Sequence, residues 1–350
     1  MVPLLSRLVW RSAPFLAFAV AAVALWRVPD VPAAEVRYVR IAAGPATSLG
    51  FQGATTLANA LTRPPGLPPC DEGRPCGVPG VIALAQSLPE PEAIVAAVAT
   101  GQIDTGLAPA NIVFGARCPE GRTPALDVTV LGDAYAEALH VLALPGSGIA
   151  AVPDLRGKRV AVGAAGSEDR RLADRILMAH ELRRRDIRMV ELAGDAALAA
   201  LAEGKVDAVF RIAAVPDPAV AGLAAAGAVV LVPVEGDARQ RLLELAPFSG
   251  AARIPGGTYG EAGEVQTLAQ PVLWIAGPGL PTGLAAELSG AVENPANRAL
   301  LTAEPVALFP VALFPVDADA FRPGRLAAPL HPAATSRHPG ASPMPCPEAR

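Results

Sequence analysis

Two successive blocks of the chain alternate strand-like and helix-like segments in the same order. In the first block, Tyr38-Val39-Arg40-Ile41-Ala42 reads as a strand, Gly44 to Gly50 as a small-residue turn and Phe51 to Leu61 as a helix. A strand from Val81 to Ala85, a helix from Pro89 to Thr100 and a short strand from Asp104 to Ala108 follow. The second block runs through strand Val160-Ala161-Val162, turn Gly163 to Ser167, helix Glu168 to Arg184, strand Met189 to Leu192, helix Ala196 to Glu203 and strand Asp207 to Phe210. Both blocks enter their last strand through one pattern: Gly101-Gln102-Ile103-Asp104 matches Gly204-Lys205-Val206-Asp207. Strands separated by helices are parallel strands joined by crossovers. Two such blocks predict an α/β fold of two lobes, with mostly parallel sheets flanked by helices.

Between and after the blocks, Asp127 to Leu131, His140 to Leu144 and Val272 to Ile275 read as further strands, and Leu280 to Val292 as a helix. The segment Pro305-Val306-Ala307-Leu308-Phe309 is duplicated at once as Pro310 to Phe314, which is no helix pattern. The last residues, rich in Pro, Ser and Ala, read as a mobile tail over 321–350.

Composition excludes several functions. The formal net charge is -4, so the chain lacks the basic footprint of a nucleic-acid binder. Arg171, Arg183, Arg184 and Arg185 are surrounded by acids and read as a solvated helix face. Aromatic residues make up only 4%, too few for stacking platforms or aromatic sugar grooves. There is no Gly-x-Ser-x-Gly elbow, Walker pattern or His-Glu-x-x-His, and Gly163-Ala164-Ala165-Gly166-Ser167 does not fit the dinucleotide fingerprint. Neither an enzyme nor a cofactor nor a metal is expected. His140 reads as a structural or ligand-facing residue of an apolar strand.

Arg7 and Arg11 precede an apolar run from Ser12 to Trp26, shorter than a membrane span. With Val31-Pro32-Ala33 as a small-residue cleavage pattern, residues 1–34 read as a signal peptide or N-terminal anchor. Either reading sends the body of the protein to the periplasm. Cys70, Cys76 and Cys118 are disulfide candidates, with Cys70 free to pair with either of the others, while Cys346 falls in the tail.

The candidate binding residues are polar groups that interrupt apolar stretches. Thr47 and Ser48 lie in the first turn, and Gly166, Ser167 and Glu168 in the second. Each turn feeds a helix N-terminus, whose unpaired N–H groups suit an anion. Gln86 ends a strand, Asn111 follows Leu107-Ala108-Pro109-Ala110, Arg170 sits just inside a helix, and Arg211 ends the strand Ala208-Val209-Phe210.

Cys70-Asp71-Glu72-Gly73, Cys76-Gly77-Val78-Pro79-Gly80 and the continuation Ala83-Leu84-Ala85-Gln86-Ser87 resemble the Cys-containing branch of the TAXI-type substrate-binding proteins of TRAP transporters. Leu155 to Gly163, Gly204 to Phe210 and Ile254-Pro255-Gly256-Gly257-Thr258-Tyr259 share the resemblance. It implies a Venus-flytrap fold, with 35–138 plus 242–320 as one lobe, 139–241 as the other, and crossings near His140 and Pro233 to Pro247. It further implies a monomeric receptor that captures a small anionic or zwitterionic solute, such as a carboxylate or amino acid, and delivers it to a fused TRAP membrane permease. The alternative role is a ligand-sensing module for a membrane signalling partner. The second turn departs from the family: Gly166-Ser167-Glu168-Asp169 replaces Gly-Ser-Gly-Thr. These acids would repel a carboxylate unless Arg170 or Arg211 offsets them.

Overall fold

The computed structural model describes residues 36–46, 48–68, 70–71, 73–119, 122–164, 168–260, 263–302, 326–335 and 341–347. Its strands are β1 (Arg37–Ala43), β2 (Thr62–Arg63), β3 (Val78–Pro79), β4 (Val81–Ser87), β5 (Thr105–Pro109), β6 (Thr129–Ala143), β7 (Arg159–Ala161), β8 (Arg188–Val190), β9 (Ala208–Ala213), β10 (Val230–Leu231), β11 (Gly250–Ile254) and β12 (Val265–Ala276). The helices are α1 (Leu49–Leu61), α2 (Pro91–Ala99), α3 (Ala110–Arg117), α4 (Glu168–Ala179), α5 (Gly194–Ala202), α6 (Pro218–Ala225), α7 (Gly236–Leu245), α8 (Thr282–Glu293) and α9 (Pro295–Leu301).

The repeated sequence pattern is a repeated structure. β1 lies between β4 and β5, parallel to both, and β7 lies in the same way between β8 and β9. α2 and α5 each end at a glycine with positive φ, Gly101 at 72° and Gly204 at 69°, a conformation that disfavours side chains. Two residues beyond that glycine, an apolar residue (Ile103 or Val206) is buried, and the next residue is the aspartate. Asp104 Oδ2 accepts from the Arg40 backbone N–H at 2.8 Å and from Arg40 Nε at 2.9 Å, while Oδ1 accepts from Nη2 at 3.2 Å. Asp207 does the same for Arg159, at 2.7, 3.2 and 2.6 Å. Each aspartate ties the entry of the third strand to the first strand of its block.

These clamps carry a testable cost. Asp104→Ala or Asp207→Ala should each destabilise the fold by about 1–2 kcal/mol in urea denaturation, since each loses charge-assisted bonds and frees a backbone N–H. The Arg159 hydrogen bonds hold the Asp207 carboxyl below its ordinary range. Its contribution is therefore complete above the unfolded carboxylate pKa of about 4 and disappears as pH falls through the lower folded value. A difference between wild type and Asp207→Ala that grew on acidification would contradict this assignment.

Alternate residues of the central strands face opposite helical layers, as the pleat requires. In the first lobe, Val39 and Ile41 pack with Leu57 and Leu61 of α1 and with Trp274, while Ala42 packs on the other face with Ile94 and Val98 of α2. In the second, Val160 and Phe210 pack with Ile176 and Leu177 of α4, while Ala161 and Val209 pack with Leu198 and Leu201 of α5. The expected two-lobed α/β fold is thus what the structure has.

The lobes share one sheet, in the order β3-β2-β4-β1-β5-β12-β6-β9-β7-β8. β6 and β12 pair antiparallel and run through both lobes: the far half of β12 pairs with β5, the far half of β6 with β9. Three sequence expectations change here. The separate strands at Asp127 to Leu131 and His140 to Leu144 are parts of the single 15-residue β6. β12 starts at Val265 and runs through Pro271, with register shifts at Val272/Leu273 and Trp274/Ile275 that bend it locally. Ala252, Ile254, Tyr259 and Ala269 join the second lobe's core, so β11 and the first half of β12 pack there and not with the first lobe.

The tail also differs from expectation. Cys118 pairs with Cys346, and Cys70 with Cys76. Residues 326–335 are docked on the first lobe: Val130 N–H donates to the Pro329 carbonyl at 2.8 Å, and His331 N–H to the Val130 carbonyl at 2.8 Å. Ala327, Ala328 and Ala334 are buried there, so this part of the tail is held by pairing that its composition does not reveal. The Cys70–Cys76 loop is secured by Asn297, fully buried, which accepts from Cys76 N–H and donates to the Cys76 carbonyl, both at 2.8 Å. The duplicated Pro-Val-Ala-Leu-Phe segment and the N-terminal segment 1–34 lie outside the described residues.

Candidate functional site

The strand pairings locate the site. β5 ends at Pro109, opposite Val272, which in turn lies opposite Tyr135. β9 ends at Ala213, opposite Ala138. The carboxyl ends of both parallel sets therefore meet β6 within residues 135–138, one from each lobe. Ligands of open α/β sheets sit outside such carboxyl ends. Here two sets face a common crossing, the candidate floor of a cleft between the lobes.

The sequence candidates distribute around it unevenly. Ser48 caps α1, its Oγ accepting from Phe51 N–H at 3.2 Å. Gln86 is exposed at the carboxyl end of β4, beside Ser87, whose Oγ donates to the Gly44 carbonyl at 3.1 Å. Asn111 lies in the first turn of α3, directly after β5. Thr47, Gly166 and Ser167 lie outside the described residues, and Glu168 is described only as the first residue of α4. Arg170 is engaged by Asp174 at 3.6 Å and Glu191 at 3.4 Å. Arg211 is engaged by Asp217, at 2.9 Å from Nε and 2.8 Å from Nη2, and by Asp195 at 3.4 Å. Both arginines expected to offset the acids of the second turn are thus already paired within their own lobe. Across the cleft, Arg171 of α4 meets Glu92 of α2 at 3.9 Å, an ion pair that joins the lobes.

Asp217 anchors a buried chain of hydrogen bonds behind Arg211. Its Oδ1 caps α6, accepting from Ala219 N–H at 2.8 Å and Val220 N–H at 3.0 Å. Its own N–H donates to the Tyr259 hydroxyl at 2.7 Å. That hydroxyl lies 2.9 Å from His140 Nε2, and His140 Nδ1 lies 3.0 Å from the Ala138 carbonyl. One proton arrangement satisfies all of these: Tyr259 donates to Nε2, and Nδ1–H donates to Ala138. Burial pushes the His140 imidazole down to about 4, so it stays neutral. This is the structural role among the two expected for it.

The sequence reading misses the residues at the cleft floor. Tyr135 and Glu137 stand two apart on β6, on one sheet face, and Gln270 of β12 lies directly opposite Glu137. Gln270 and Tyr135 both favour the charged form of the Glu137 carboxylate. Burial pushes Glu137 up to about 7, and repulsion from Asp169 adds to this, while those two polar groups and the Arg211 charge act the other way. Burial likewise holds the Tyr135 phenol well above its ordinary range. Tyr135 also reaches the first lobe: a methyl group on Gly50, in the first turn of α1, would sit 2.5 Å from its hydroxyl oxygen. A signal for these residues is present in the sequence. From Gly132 to Ala138 polar and larger residues (Asp133, Tyr135, Glu137) alternate with small ones, which marks an extended strand with one polar face.

Among the described residues, no group of three or more His, Cys, Asp or Glu could hold a metal ion. Solved structures similar to the chain include three binding proteins. One is the periplasmic aliphatic sulphonate binding protein SsuA from Escherichia coli, at 18% identity and a TM-score of 0.42, covering 76% of this chain and 78% of that one. Another is the alkanesulfonate-binding protein SsuA from Xanthomonas axonopodis pv. citri, bound to MOPS, at 20% identity and a TM-score of 0.42, covering 79% and 88%. The third is the probable amino-acid ABC transporter extracellular-binding protein YtmK from Bacillus subtilis, at 12% identity and a TM-score of 0.44, covering 77% and 97%. The model of the NMT1-like family matches residues 80–336, most of both lobes, and the chain belongs to that family.

Proposed function

We propose that the protein is the extracytoplasmic receptor of a TRAP-type transporter, capturing a small carboxylate or amino-acid-like solute by closure of its lobes. The observation that carries this reading is the meeting of both sets of parallel strand ends at one interlobe crossing, where a solute touches both lobes at once. The Arg171–Glu92 pair supports closure, because it joins a helix of one lobe to a helix of the other at 3.9 Å. The two disulfides fit a chain that folds outside the cytoplasm. The resemblance of the Cys70 to Ser87 stretch to TAXI-type proteins supports a membrane permease as partner. The cleft holds the solute and carries out no reaction on it.

Differential scanning fluorimetry of the mature protein from Glu35 onward tests the reading. The panel is amino acids, dicarboxylates, keto acids, alkanesulfonates and polyamines. A solute at a hundred times its Kd stabilises the folded state by about 2.7 kcal/mol, which raises Tm by about 5 °C in a chain of this size. A shift of that order is expected with at least one amino-acid-like or carboxylate solute. Unchanged melting across the whole panel would remove the receptor reading.

A further inference from the structure

The cleft floor carries a charge imbalance that the protein does not resolve internally. Glu137 is a half-buried carboxylate at the crossing of β6 and β12. The charged and titratable groups that act on it come from each neighbouring element: Tyr135 on β6, Asp169 on α4 and Arg211 on β9, with the neutral Gln270 on β12. Of these, Arg211 is the cation, and it is already bound by Asp217 and Asp195. Asp169 is a second acid. Tyr135 and Gln270 favour the charged carboxylate without neutralising it. A partly desolvated carboxylate whose neighbouring cation is committed elsewhere is relieved either by a proton or by an incoming positive group.

We infer that Glu137 is the recognition group for a positively charged nitrogen on the solute, an ammonium or amidinium seated between Tyr135 and Gln270 at the cleft floor. This rests on the receptor reading above and narrows it: the solute is cationic or zwitterionic, not a simple anion. Asp169 reinforces the preference from the second lobe, and the prior pairing of Arg211 removes the competing site for a carboxylate. The position on the strands that join the lobes gives the contact a second consequence. A nitrogen held by Glu137 touches the crossing itself, so capture acts where the lobes pivot.

Binding must then expel a proton below neutrality, because the free carboxyl titrates at about 7. The sign follows from that. Affinity is level above pH ~7.5 and falls toward tenfold per pH unit below ~6.5, as the cation competes with the proton.

The test is isothermal titration calorimetry on wild type, Glu137→Gln and Glu137→Asp, with a matched five-carbon series: pentane-1,5-diamine, 5-aminopentanoate and glutarate, plus the twenty amino acids. The expected result is that every solute bound by wild type carries a cationic nitrogen, and that Glu137→Gln weakens it about 100-fold with unchanged folding by circular dichroism. Glu137→Asp, which keeps the charge on a shorter arm, should lie between. Titration in two buffers of different ionisation enthalpy should show proton release at pH ~6.5. Binding of glutarate alone, affinity that rises as pH falls, or a Glu137→Gln protein within about threefold of wild type would each overturn the inference while leaving a receptor in place. Absence of binding by wild type to any solute here and in the wider fluorimetry panel would remove both.

Discussion

Replacing both Cys118 and Cys346 with serine should lower the unfolding free energy by about 5 kcal/mol, against about 2 kcal/mol for Cys70 and Cys76. The difference comes from the unfolded chain. The first bridge joins residues 228 apart in sequence and the second joins residues 6 apart. A cross-link removes more conformational freedom from the denatured ensemble when it closes the longer loop. In the folded state the long bridge also holds the tail segment whose Ala327 and Ala328 complete the core beneath α2 and α3. Arg117, next to Cys118, donates to the Met344 carbonyl and secures the same junction. Urea unfolding of the two serine double variants, beside wild type with and without reductant, measures both effects. If the Cys70–Cys76 variant were the less stable of the two, the loop-closure account of this fold would be wrong.

The second large effect is expected at Asp217. Asp217→Ala should cost about 3–5 kcal/mol, because it leaves the Arg211 guanidinium, 17% exposed, without its principal counter-charge, and also uncaps α6. Tyr259→Phe should cost less, about 1–3 kcal/mol: it keeps the ion pair but strips a partner from the Asp217 N–H and from His140 Nε2. Calorimetric melting of the two variants gives the order. The Asp217→Ala protein should also bind carboxylates better than wild type if it folds, since Arg211 is released toward the cleft. Equal losses in the two variants would mean that the ion pair contributes nothing beyond the hydrogen-bond chain.

Much of the frame can be read from local signals. The Gly-x-[Ile/Val]-Asp echo announces two similar blocks, and apolar runs bounded by glycine and proline place most of their strands. What escapes is whatever depends on partners distant in sequence. β6 reads as two separate apolar strands because its middle, with Gly132, Ala134, Ala136 and Ala138, carries only small residues on one face; that the alternation there belongs to one long strand is fixed by pairing with β12 and β9. β12 is hidden by Pro271, a residue that normally argues against a central strand. The tail is polar and proline-rich, and its docking depends on Cys346 finding Cys118. The site shows the same division. Turns and helix starts pick out Ser48, Gln86 and Asn111, whereas Glu137 and Gln270 become neighbours only once the crossing strands are aligned. Arg211 reads as the end of an apolar strand, whereas β9 continues to Ala213, and its commitment to Asp217 requires the turn through Pro216 to bring the acid back.

Because the lobes are joined by one continuous pair of strands, the molecule is built like a torsion bar with two paddles. Strand pairs in natural sheets differ in twist across a range of roughly 10–35°. A change of about 10° at the crossing would sweep the far edge of a lobe about 20 Å away through about 3 Å, with its ladder bonds intact. If the lobes close on a solute as proposed, that closure would need no melted linker, and the restoring force would reside in the twist of β6 against β12. Glu137 and Gln270 lie opposite each other on the two strands of that bar, where displacement would be least. A solute bound there would be read as a change of angle at the rims, which is the surface a membrane partner could sense.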